Sequence, residues 1–560
     1  SAKPEFKKDV GLGAKGLAAL KTGAGTETII NTDNIKTSVN QEYGGSVRLA
    51  KDTSLEGSLV KFEGSLDGAF ALTLAGATAQ TFAGITGGTT PLTTLTTGTG
   101  LTTINAASIK TSGTQTYKGA VSLNQTASLE GSLVNFMSTL NGAFALTLAG
   151  GTAQTFSGIV GGTTPLSALT TGTGLTTIDT TSIKTSGTQT YNGAVSLNKS
   201  TSLEGSLVKF AGPLDGAFAL TLAGATAQTF AGITGGTTPL TTLTTGTGLT
   251  TINAASIKTS GTQTYKGKLE LGANAKIQTV TAAAVTFEET VNSASAGTNE
   301  YSLTISGLAK PEFKKDVGLG TKGLAALTTD TNTETVINTA GIKTSGTQAY
   351  KGKVTLYKNT TLTAPASNIK FDGTVDGAQS LTIAGNAAVE FNNLVGSATP
   401  LTALTTGTGL TTINTTSIKT SGIQTYKGAV SLNQTASLEG SLVNFMSTLN
   451  GAFALTLAGA TAQTFSGIVG GTTALSSLTT GTGTTTINTS SIKTSGIQTY
   501  KGKVILNTDS TLDSGSLMFE DAINSAANGL SGAKDLTLLC AGVQTFKNDI
   551  GNVHPLKSFT

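Results

Sequence analysis

Cysteine, histidine, tryptophan and arginine are almost missing from this 560-residue chain. Cys540, His554 and Arg48 are each the only residue of their kind, and there is no tryptophan. One cysteine cannot make a disulfide framework within the chain, and one cysteine with one histidine cannot make a zinc site. No cofactor is expected. Charged residues are 12% of the total and the net charge is +4. Nucleic-acid binding calls for a dense Lys/Arg face, often with stacking aromatics, so nucleic acid is not expected as a partner. The 9 prolines are too few for collagen or a proline-rich linker. No stretch approaches the roughly 20 apolar residues of a membrane-spanning helix, so no transmembrane segment is expected. No signal peptide is visible, and the chain starts at Ser1 without Met, which reads as an amino end processed, cut or left out. Scarce cysteine fits export through a bacterial envelope. Cys540 itself, in Leu536–Cys540, reads as a small core residue on a strand.

What is abundant is glycine, at 72 residues, and repetition. The phrase Ile-Lys-Thr-Ser-x-x-Gln-x-Tyr-x-Gly starts, with small variations, at Ile35, Ile109, Ile183, Ile257, Ile342, Ile418 and Ile492, in steps of 74, 74, 74, 85, 76 and 74 residues. A fixed period makes each copy a structural unit stacked on its neighbours, and makes a unique active site unexpected. A second marker centres on Phe6, Phe82, Phe156, Phe230, Phe313, Phe391, Phe465 and Phe546. It divides the 74-residue cassette into halves of 39 and 35 residues. Halving again gives about 18 to 19 residues, the length of one solenoid coil. Large apolar residues alternate in Phe70-Ala-Leu72-Thr-Leu74, Tyr117…Val121-Ser-Leu123 and Val134-Asn-Phe136, the period of a strand with one face inward. Phe82, Phe156, Phe230, Tyr117, Tyr191 and Tyr265 are therefore core candidates. Asp67-Gly68, Asn141-Gly142, Asp215-Gly216, Asp376-Gly377 and Asn450-Gly451 sit at equivalent points and tolerate the positive φ of sharp turns. They would join antiparallel strands in a hairpin protein or bend the chain at a corner in a solenoid, and the short strands and unbroken cassette favour the solenoid.

These features predict an all-β, elongated parallel β-solenoid of about 18–25 residues per coil, continuous over 1–560, with parallel strands of successive coils about 4.8 Å apart. Enlarged loops are expected near 287–303 and 519–536. Residues 2–20 recur as 309–327 with Ala14 replaced by Thr321, and the last residues, Gln544 to Phe559, retrace Gln80 to Leu95. With no polar cap visible at either end, the chain reads as a section of a longer polypeptide or as a subunit stacking end to end with copies of itself.

Candidate chemistry is sparse. Glu56, Glu130, Glu204 and Glu439 recur at one cassette position, which suits a structural role better than a unique acid–base pair. Glu288-Glu289 and Glu520-Asp521 are the best local acidic clusters, and a solvated loop flank accounts for them. A Ser-His-Asp or Cys-His arrangement is not expected from a single His554 near the end. Gly-Gly-x-Gly-x-Asp calcium repeats and Walker loops are absent. Lysine has the one clear charge pattern. Lys36, Lys110, Lys184, Lys258, Lys343, Lys419 and Lys493 share one position, and Lys118, Lys266, Lys351, Lys427 and Lys501 follow the repeated tyrosine. On a solenoid these read as basic rows along the body that meet anionic glycans or a partner surface. The plainer reading is that lysines keep strand-rich surfaces soluble and discourage lateral pairing.

Over Thr111–Asn124 and Thr185–Asn198, in Thr-Ser-Gly-Thr-Gln-Thr-Tyr-x-Gly-Ala-Val-Ser-Leu-Asn, the chain resembles the giant repetitive surface proteins of Gram-negative bacteria, of the filamentous-haemagglutinin and autotransporter-passenger kind. That resemblance implies a right-handed parallel β-helix, export across the outer membrane, and an extracellular, cell-surface role in adhesion or matrix building with host or matrix glycans as partners. There is no amino-terminal secretion domain, membrane β-barrel or Arg-Gly-Asp motif, so no family binding residues carry over. The leading expectation is a non-enzymatic structural and adhesive rod. The alternatives are a surface-layer-like subunit polymerising head to tail and a polysaccharide-active β-helix enzyme, which would draw on Glu288 and Glu289.

Overall fold

Short runs with a large apolar residue at every second place can bury one edge only by curling the sheet around it. The computed structural model has this form over the residues it describes: 3–14, 16–76, 78–150, 153–224, 226–294, 299–365, 367–459, 462–526 and 532–560. Among them there is no α-helix, and every strand pairing is parallel. The chain divides into two compact units, Ser1–Ala273 and Asn274–Thr560. Each is a β-solenoid, and together they make about 27 turns.

One turn of the first unit shows the plan. Strands Ser108–Lys110, Thr114–Tyr117 and Val121–Leu123 form its three sides. The next turn follows as Ala127–Glu130, Leu133–Phe136 and Leu140–Asn141, with Ile109 beside Leu129, Gln115 beside Val134 and Val121 beside Leu140. Inward residues thus stack on inward residues. Tyr117, Phe136 and Phe156 pile face to face with centroids 5.2 and 5.5 Å apart, and Tyr191, Phe210 and Phe230 do the same at 5.2 and 5.5 Å. Phe82, Phe156, Phe230, Tyr117, Tyr191 and Tyr265 are all fully buried. Burying such a side chain contributes about 1.5–3 kcal/mol, and an aromatic pair adds roughly 0.5–1.5.

The most repeated phrase is explained by a buried hydrogen-bond staple. Gln115 donates from Nε2 to the carbonyls of Ile109 (3.0 Å) and Glu130 (2.7 Å), and its Oε1 accepts from the Tyr117 hydroxyl (2.8 Å). One amide thereby ties a corner to the following turn with all of its polar atoms engaged. Gln41, Gln189, Gln348, Gln424 and Gln498 receive the hydroxyls of Tyr43, Tyr191, Tyr350, Tyr426 and Tyr500 in the same way. Each of these glutamines is fully buried, and a buried polar group left without partners costs about 1–3 kcal/mol. That cost accounts for the constancy of the Gln-x-Tyr pair along the chain.

The Asp-Gly and Asn-Gly pairs are solenoid corners. Gly142 has φ +139°, and a Cβ there would lie 2.2 Å from the carbonyl oxygen of Leu123. The preceding side chain has a second task. Asn141 Oδ1 accepts the backbone N–H groups of Thr163 (3.0 Å) and Thr164 (3.3 Å), one turn on, and Asp67 accepts those of Thr89 (2.9 Å) and Thr90 (3.1 Å). These bonds pin an outward loop. Residues 87–91 bulge between the pairings Thr86–Ile109 and Leu92–Thr111.

That bulge lengthens its own turn, within the expected range of about 18–25 residues. Turns are not a uniform 18 to 19 residues. Leu72, Leu95, Gln115, Val134 and Gln154 are successive register partners at steps of 23, 20, 19 and 20 residues. A cassette is likewise not four coils. Between Ile109 and Ile183 the chain passes through eleven strand positions, counting the bridge at Val160. At three positions per turn, one cassette makes 3⅔ turns. Of the enlarged loops, residues 295–298 and 527–531 lie outside the described residues.

Candidate functional site

The two-thirds turn left over in each cassette decides where repeated surface residues go. In the first unit the strand of Ile35 belongs to one sheet, that of Ile109 to a second and that of Ile183 to the third, and Ile257 returns to the first through the bridge Leu214–Thr234–Ile257. In the second unit Ile342, Ile418 and Ile492 occupy three different sheets. The lysines that follow them, Lys110 and Lys184 between Lys36 and Lys258 and then Lys343, Lys419 and Lys493, therefore form no rows. Within each unit they move to a new face with every cassette.

Five of the seven are ion-paired. Lys36 pairs with Glu56 (2.9 Å), Lys110 with Glu130 (3.1 Å), Lys184 with Glu204 (2.9 Å), Lys419 with Glu439 (3.2 Å) and Lys493 with Asp513 (2.9 Å). Lys110 and Glu130 are register partners on adjacent strands, and the other pairs follow the same pattern. The recurrent glutamate is thus the counter-ion of the recurrent lysine, a pairing that neither residue shows alone. Its signal is present in the chain, because a 20-residue offset is one turn. Lys343 faces Thr363 instead, and among the described residues neither it nor Lys258 has an ion-pair partner.

The remaining outward positions are mostly hydroxyls. On one sheet of the first unit an unbroken series of register partners runs from Ser54 through Thr73, Thr96, Thr116, Asn135, Thr155 and Thr177 to Ser196.

The acidic clusters are tied to the next turn. Glu288 faces Lys314 at 3.9 Å, Glu520 faces Lys547 at 3.4 Å, and Asp521 accepts from Asn548 Nδ2 at 3.3 Å. Among the described residues no group of three His, Cys, Asp or Glu side chains is placed to hold a metal ion, and no helix is long and apolar enough to cross a membrane. Cys540 is not a core residue. It follows the exposed Leu539 at the end of Asp535–Cys540 and is half-buried, its Sγ 3.7 Å from the carbonyl oxygen of Gly515. The in-out alternation of that strand stops after Leu538, which is why the cysteine falls outside the core.

No protein-family model, curated protein or solved structure matches this chain. Burial drives the seven stapled tyrosine hydroxyls, Tyr265 included, far above the ordinary phenol range, so they are neutral structural donors. At the surface, the Lys3 ammonium bonded to Glu27 at 2.6 Å holds that carboxyl below its usual range, with Arg48 adding to the effect. Lys310 lowers Glu334 in the same way.

Proposed function

We propose that the chain is a non-enzymatic structural and adhesive protein of a bacterial cell surface, acting outside the outer membrane through many weak contacts. The observation that carries this reading is the three-way display. One outward motif is offered on each face in turn, with five of its seven lysines paired to a carboxylate on the next turn and hydroxyls prominent among its remaining positions. Repeated weak sites on one body gain avidity without any single strong contact, and presenting them in three directions suits bridging between surfaces or matrix strands. The sequence resemblance to bacterial surface repeats points the same way. The test is to anchor the chain on the outside of a non-adherent cell and count the cells that a glycan- or protein-coated surface retains under flow. Retention well above that of the anchor alone is expected. Retention equal to the anchor, or cleavage of a polysaccharide by the purified chain, would overturn the proposal.

A further inference from the structure

We propose that the groove between Leu101 and Phe144, and its copy between Leu410 and Phe453, each bind a segment of an uncharged polysaccharide. This rests on the adhesive reading and supplies the ligand class that reading lacks. The first groove is about 430 Å³, within the range of ligand sites. Its lining comes from four successive turns: Leu101, then Ser122 and Asn124, then Asn141 and Phe144, then Thr163 and Thr164. At 4.8 Å per turn it is about 14 Å long, a length that suits a polymer better than a single small molecule.

The chemistry of the lining selects the occupant. Leu101 is 45% exposed and Phe144 37% exposed, so two large apolar side chains stand uncovered. No acidic or basic side chain lines the groove. Ser122 donates its hydroxyl to Asn124 Oδ1 at 3.2 Å, and Asn141 Oδ1 takes the N–H groups of Thr163 and Thr164. Both amide oxygens are therefore occupied, and the amide NH2 groups and threonine hydroxyls remain to bond a ligand. A sugar ring offers a C–H face for Phe144 and Leu101 and a rim of hydroxyls for those donors. An anion would find no cation here. An extended peptide would find no free strand edge, because Val121–Leu123 is already paired on both sides.

In the second unit the same side chains recur with the same partners. Residues 118–149 and 427–458 are identical in sequence. Ser431 donates to Asn433 Oδ1 at 3.0 Å, Asn450 Oδ1 accepts from Thr472 N (3.0 Å) and Thr473 N (3.4 Å), and Leu410 and Phe453 are 46% and 38% exposed. The chain also carries its own contrast. At the equivalent places in the preceding cassette stand Glu27, Arg48, Ala50 and Asp67, with Arg48 Nε 3.5 Å from Glu27.

The experiment is native gel electrophoresis of the full chain through gels containing dextran, galactomannan, hydroxyethyl cellulose, β-1,3-glucan or the anionic polygalacturonate. At least one uncharged polymer is expected to retard the wild type. The double variant Phe144→Ala, Phe453→Ala is expected to bind that polymer about 10-fold more weakly, the loss expected from removing about 1.4 kcal/mol of ring stacking at each site. Ser122→Arg with Ser431→Arg, which imitates the charged cassette, is expected to do likewise. Circular dichroism on each variant checks that the β-fold is intact. Retardation by none of the four uncharged polymers, undiminished binding by folded variants, or tighter binding to polygalacturonate would each overturn the proposal. Failure here with cell retention on protein-coated surfaces kept would sink this inference and leave the adhesive reading standing. Polymer binding without cell retention would do the reverse.

Discussion

Residues 27–90 and 101–164 are the same piece of solenoid with opposite surface chemistry. Both have the Asx-Gly corner, the loop pinned by two backbone N–H groups, and the buried Gln–Tyr staple. Yet the first presents Glu27, Arg48 and Asp67 where the second presents Leu101, Ser122 and Asn141. The backbone ladder fixes where outward side chains stand. Because those side chains lie outside the core, their chemistry varies without disturbing the coil. The comparison separates what the cassette must keep, which is inward, from what it can vary, which is outward.

The largest test of that separation is alkaline pH, which should break both regions alike. The buried tyrosines have folded-state pKa values raised by desolvation. A raised value means their contribution is fully present below the ordinary phenol pKa of about 10 and is lost as pH rises beyond it. Near- and far-ultraviolet circular dichroism should show cooperative loss of structure above about pH 10 in either cassette. A coil that keeps both signals while its tyrosines ionise would contradict the buried staple.

Next in size is removal of the staple itself. Gln41→Ala and Gln115→Ala should each destabilise their own turns by about 2–4 kcal/mol, since carbonyls of two turns and a tyrosine hydroxyl lose their partner. Native-state hydrogen exchange resolves such local losses in a repeat protein, whose turns open semi-independently. Equal losses in the two cassettes are expected, and a large inequality would mean that the outward chemistry reaches the core.

Mild acid should then tell the regions apart. The Glu27 carboxyl is depressed by Lys3 and Arg48, so its contribution is present above its unfolded pKa and disappears as pH falls through the lower folded value. Exchange protection around Glu27 should decline in that window, while the uncharged groove around Leu101 should not respond. The smallest effect belongs to the surface ion pairs. Lys110→Ala or Glu130→Ala should cost no more than about 1 kcal/mol, and a double-mutant cycle should return a coupling of roughly 0.2–1 kcal/mol that shrinks with salt.

Much of this was legible in the sequence. The alternation in Val121-Ser-Leu123, the period of Ile109, Ile183 and Ile257 and the turn at Asn141-Gly142 together favour a parallel solenoid with Tyr117 and Phe156 inside, because burial and positive φ are local demands. The candidate surface was far less legible. Lys110 and Glu130 look like unrelated charges until the turn is known to be 20 residues at that point, and Leu101 and Phe144 look like further core residues until four turns are stacked.

Inward positions, sharp turns and a period that favours a coil are written in the chain, since each follows from the preferences of a few neighbouring residues. That the turns are corners of a coil, that three strands close each turn and that a 74-residue cassette advances 3⅔ turns emerge from the packing of the whole coil. A sequence period measures length along the chain, whereas the face on which a side chain emerges depends on the angle accumulated in closing each cross-section, and that angle is set by packing around a shared core.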